Sequence, residues 1–168
     1  QGIFAAPAVY DVVMRFSTTP GDVLPDSVST PRGLSLKVIG LEGGQTQDFV
    51  MVNGPTFQAP NAKVFLQNLK LLAATTDRAE GAKVAASALL RATESAVEAL
   101  GGQSTALKAL GGEPSHNPLG ETYFTQLPLR FGEYVAKSRV IPVSPELLAL
   151  KNQKMDSTKD PLALRQAI

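Results

Sequence analysis

Apolar and polar residues alternate in the first part of the chain. Val12, Met14 and Phe16 are interleaved with Val13, Arg15 and Ser17. A β strand sends successive side chains to opposite faces. A strand over residues 8–18 therefore presents Val12, Met14 and Phe16 to a core. It presents a guanidinium and a hydroxyl, beside Val13, to the other side. A loop rich in Pro, Asp and Ser follows, and Pro31-Arg32-Gly33 closes it. Alternation resumes over residues 33–40 and again over 47–53, where Phe49 and Met51 oppose Val50 and Val52. Glu42-Gly43-Gly44 between them reads as a hairpin turn. Strands this closely connected predict an antiparallel sheet.

The period then lengthens to that of a helix. Asn61 can cap a helix running through Val64, Phe65, Leu69 and Leu72. Asp77-Arg78-Ala79-Glu80 has capping-box spacing and opens a second helix, to about Leu100, which Gly101-Gly102 stops. Ser104 opens a short third helix ended by Gly111-Gly112. This Ala-, Leu- and Lys-rich block, about residues 61–110, reads as a helical layer on the sheet, or as a lid or an oligomer contact. Two more strands are expected over 121–131 and 133–143, then a short helix from Ser144-Pro145-Glu146 and another from Asp160-Pro161. The fold class is α+β.

Composition narrows the function. The 168 residues are 43% hydrophobic, enough for one core and one domain. A net charge of +1 without a basic block argues against nucleic acid and against an anionic membrane surface as partner. There is no cysteine, so thiolate and iron–sulfur chemistry are excluded. No apolar run approaches the roughly 18 residues of a membrane span. Both ends read as cut from something longer, which leaves the compartment open between cytoplasm and periplasm. The one histidine, His116, sits in a Pro/Gly loop and reads as a solvated residue.

The string Arg15-Phe16-Ser17-Thr18, then an Asp, Pro31-Arg32-Gly33 opening a strand, then Asp48-Phe49-Val50 and Asn53-Gly54-Pro55, resembles the haem-binding core of the catalase family. It is closer to the small, peroxidase-like branch than to the large enzymes. The resemblance implies a catalase-type antiparallel β-barrel, incomplete in this segment, with a helical insertion. It implies a haem b cofactor and a peroxide-consuming oxidoreductase acting on hydrogen peroxide or an organic hydroperoxide with an electron donor. A homo-oligomer is left open.

On this resemblance Arg15 pairs with a haem propionate, and Ser17 supports the distal histidine by hydrogen bonding. Gly33 lets the backbone approach the macrocycle, Val50 covers the haem face, and Phe57 and Phe65 line the pocket. Catalases carry two asparagines where this chain has Val52-Asn53. Asn53 is the expected distal amide if a bulge turns it inward. If Val52 takes that place, peroxidase-type use of a second reductant is favoured over catalase turnover. In the family, the distal histidine precedes this segment and the proximal tyrosine follows it, so the segment alone is expected to be inactive. Two rivals stand beside this reading: a non-catalytic carrier of haem or a hydrophobic ligand, and a haem enzyme that rearranges fatty-acid hydroperoxides.

Overall fold

A computed structural model describes residues 2–18, 25–57, 59–75, 80–99, 114–157 and 160–168. The chain is α+β, with an antiparallel sheet and four α-helices among the described residues. The first three strands, β1 (Val12–Thr18), β2 (Arg32–Val38) and β3 (Gln47–Val52), form a meander. The connection from β2 to β3 is the expected turn at Glu42–Gly44, where Gly43 and Gly44 take φ of 69° and 72°. Glycine reaches that left-handed region without the Cβ clash that penalises other residues.

The two long strands expected in the second half are each split. They become β4 (Tyr123–Thr125), β5 (Leu129–Phe131), β6 (Tyr134–Ala136) and β7 (Arg139–Val140). Pro128 has no N–H to give a ladder. The chain also changes partners. β5 and β6 pair only with each other around Gly132, whereas β7 returns to pair with β4. Ser138 N donates to the Thr125 side chain (3.0 Å) at the point of return. The main sheet has the order β1-β2-β3-β4-β7.

One face of that sheet holds the core. Leu34, Val38, Phe49, Met51 and Tyr123 are buried there, with Ile3, Phe16, Leu36, Leu41 and Val140 packed around them. Burying each large side chain is worth about 1.5–3 kcal/mol. Phe4 extends the cluster to the small hairpin, stacking edge-on against Phe49 (6.0 Å) and Phe131 (5.4 Å). Of the three β1 residues read as core-facing, only Phe16 is drawn in. Val12 and Met14 share its face but stay exposed, because β1 is the sheet's edge.

Helix α1 (Ala62–Thr75) starts as read: Asn61 Oδ1 accepts from Val64 N at 3.0 Å. Its apolar residues Phe65, Leu66, Leu69, Leu71 and Leu72 are exposed, so α1 does not cover the sheet as a layer would. Helix α2 (Glu80–Ala99) touches the loop before β2, where buried Ser87 accepts from Ser29 N at 3.1 Å. The capping box at Asp77 and the third helix from Ser104 lie outside the described residues. Helix α3 (Pro145–Ala149) begins at the Ser144 cap. Helix α4 (Ala163–Gln166) follows an Asp160 turn in which Oδ1 accepts from Leu162 N at 2.8 Å.

Candidate functional site

The face opposite the core gathers four of the residues picked out in the sequence. Directly paired residues in an antiparallel ladder point the same way. Arg15 pairs with Ser35, and Ser35 with Val50; Ser17 pairs with Gly33, and Gly33 with Val52. The second row continues through Phe124 to Arg139 on β7. Arg15, Ser17, Gly33 and Val50 therefore share one surface across three strands. Its centre is apolar and open: Val50 is 74% exposed and Val13 58%.

The charges on this face are unequal. Lys37 is matched by its cross-strand neighbour Asp48, at 2.7 Å. Arg15 and Arg139 make no ion pair with any described residue. An open apolar patch edged by an unmatched guanidinium suits a flat apolar molecule carrying a carboxylate, because the fork of N–H groups matches that group.

Gly33 has a local reason to be glycine. A Cβ there would lie 2.6 Å from Ser17 Oγ, so the hydroxyl occupies the space a side chain would need. Phe57 and Phe65 come together, with ring centroids 5.0 Å apart at 48°. Phe57 is half-buried and Phe65 is exposed.

Asn53 is elsewhere. The ladder runs without a bulge to Gly33–Val52, which leaves Val52 on the Arg15 face. Asn53 turns the other way. Its Oδ1 accepts from Arg32 N (3.0 Å) and its Nδ2 donates to Glu121 Oε2 (3.1 Å). It belongs to a polar cluster on the core side that the sequence reading did not identify.

Arg32 and Glu121 are the centre of that cluster, an ion pair of 2.9 Å with side chains only 4% and 11% exposed. Arg32 Nη1 also donates to the His116 carbonyl. Tyr123 donates to Pro118 O at 3.1 Å and lies 3.4 Å from Glu121 Oε2. Burial foremost, then the neighbouring carboxylate, holds its phenol well above the ordinary tyrosine range, with Arg32 opposing. His116, expected to be solvated, is half-buried, and its backbone bridges to Lys154. The sequence carried one signal for this cluster. A charge placed between Pro31 and Gly33 at the head of an apolar strand must find a partner when the strand is buried.

Among the described residues, no group of histidine, cysteine or carboxylates is arranged to hold a metal ion. No described helix is long and apolar enough to cross a membrane. None of the described residues paired across this face is a histidine, cysteine or tyrosine. No protein-family model, curated protein or solved structure matches the chain.

Proposed function

We propose that the open sheet face binds haem b and that the protein is a peroxide-consuming oxidoreductase of the catalase and peroxidase type. On this reading the five-stranded sheet is part of a catalase-type barrel. The observation that carries it is the register. Arg15, Ser17, Gly33 and Val50, chosen for their resemblance to a haem-binding string, lie on one face through three strands.

Haem, when bound, supplies the redox chemistry of peroxide cleavage. The chain's own residues position it. Arg15 holds a propionate through its planar fork of N–H donors. Val13, Val50 and Val52 exclude water from the ring face. The half-buried Ser17 hydroxyl orients a polar neighbour by hydrogen bonding, a role that tunes a catalytic group without touching substrate.

A second reading has an observation of its own. Val52, not Asn53, stands on the face, and the Asn53 amide is engaged by Arg32 and Glu121. Without an amide to orient peroxide, a donor-using peroxidase or a non-catalytic haem carrier is favoured over catalase turnover.

The test is a haem titration of the purified full-length protein followed by its visible absorption, then peroxide addition. A Soret band distinct from free haem, weakened about tenfold or more in Arg15→Gln, supports the site. A shift with peroxide and recovery with a reductant supports the enzyme, and a band indifferent to peroxide supports the carrier. Absence of any protein-dependent Soret band would overturn both.

A further inference from the structure

A cleft of about 230 Å³ lies beyond the end of β1, on the core side of the sheet. Its walls are Phe16, Pro118, Leu164 and Ile168. Arg32 forms part of its lining, Arg165 and Asp26 contribute the other charges, and the Ser17 and Thr18 hydroxyls border it. We infer that this cleft is a binding site for a small organic monocarboxylate with a single-ring apolar body, held by the Arg32 guanidinium.

Three observations carry the inference. The first is the state of Arg32. Its side chain is 4% exposed, and Nη1 serves both Glu121 and the His116 carbonyl. No described residue accepts from its Nε or Nη2. That edge of the guanidinium is a two-donor fork, the shape that takes a carboxylate in bidentate fashion. The Arg32 side chain is almost wholly shielded from bulk water, so its attraction for a ligand oxygen in the cleft is screened less than that of a surface arginine.

The second is charge. Of the two guanidinium groups in the lining, Arg32 is paired with Glu121, and Arg165 makes no ion pair with any described residue. Asp26 is already engaged, its Oδ2 accepting from Leu164 N at 2.7 Å.

The third is size and lining. The volume is below the roughly 300–1,000 Å³ of sites for larger ligands. The walls are apolar, so inorganic phosphate would leave them wet. The site is independent of the haem reading, although Ser17 borders both surfaces.

The test uses benzoate as probe, titrated calorimetrically into the purified protein beside benzyl alcohol and inorganic phosphate. Benzoate is expected to bind at least tenfold more tightly than benzyl alcohol, and phosphate is expected not to compete. Arg165→Gln, an exposed change that leaves the fold intact, is expected to weaken benzoate several-fold and leave benzyl alcohol unchanged. Arg32→Gln is expected to abolish the preference for the acid. If that variant unfolds by circular dichroism, Arg165→Gln and the alcohol comparison decide. Equal affinity for acid and alcohol, no binding of either, or an unaffected Arg165→Gln overturns the inference whatever the Soret titration shows. A failed Soret titration with benzoate bound overturns the haem reading alone.

Discussion

Arg32 and Glu121 stand 89 residues apart in sequence and meet at 2.9 Å in the interior. The pair ties the head of β2 to the segment leading into β4. Removing one member leaves the other as an uncompensated buried charge, which costs about 3–5 kcal/mol. Glu121→Ala is therefore expected to lose about that much in urea unfolding. The double variant Arg32→Met/Glu121→Leu is expected to lose clearly less than Glu121→Ala alone. A double variant as unstable as the single would show that the charges themselves, not their pairing, are required.

Tyr123 makes stability fall at alkaline pH. Its folded-state phenol is held above the usual value, by burial first and by Glu121 second. The unfolded chain loses this proton near pH ~10, while the folded chain keeps it. Above that pH the unfolded state binds fewer protons, so stability declines. Below it the Tyr123 contribution is constant. Urea midpoints across this range should fall with pH in the native protein, and Tyr123→Phe should flatten the fall. An unchanged slope in that variant would assign the alkaline loss to other groups.

Two glycines answer differently to the same change. A Cβ on Gly120 would lie 2.4 Å from the Leu150 carbonyl oxygen and 2.8 Å from Lys151 N, both backbone. Neither can move without displacing the end of α3. Gly120→Ala is expected to cost about 3 kcal/mol or more, the upper end of overpacking. The obstacle at Gly33 is only the Ser17 hydroxyl, which can turn to another rotamer. Gly33→Ala should cost no more than about 1.5 kcal/mol. Thermal unfolding of the two variants checks the order.

Asn53 is a stability residue on this geometry. Asn53→Ala removes a donor from Glu121 and an acceptor from Arg32 N, and should cost about 1–3 kcal/mol. Asn53→Asp places a carboxylate beside Glu121 and should cost more at neutral pH than at mildly acidic pH. A full-stability Asn53→Ala would remove Asn53 from the cluster.

The meander was legible because three strands alternate cleanly and Gly43-Gly44 marks their turn. The caps at Asn61 and Ser144 were legible because a side-chain oxygen three residues before an N–H is a local arrangement. The same alternation correctly separated Val50 and Val52 from Phe49 and Met51. Strand breaks near Pro128 and Ser138 were not read, because which strand a segment pairs with depends on distant residues. The Arg32–Glu121 pair and the cleft beyond β1 were missed for the same reason. Each is made by segments far apart along the chain. Phe57 and Phe65 were implied by the resemblance; their mutual contact is seen only in the fold.

β1 is an edge strand of seven residues, and Val12, Val13 and Met14 are exposed along it. Its outer backbone groups are a ready template for another chain. Arg15, midway along, is then expected to act as a gatekeeper against fibre growth, since a charge on a sheet edge discourages stacking. Arg15→Val should turn β1 into a sticky seam, visible as light scattering at concentrations where the native protein stays clear. On the proposed haem reading, the same arginine that would receive a propionate would also keep neighbouring copies apart until it arrives.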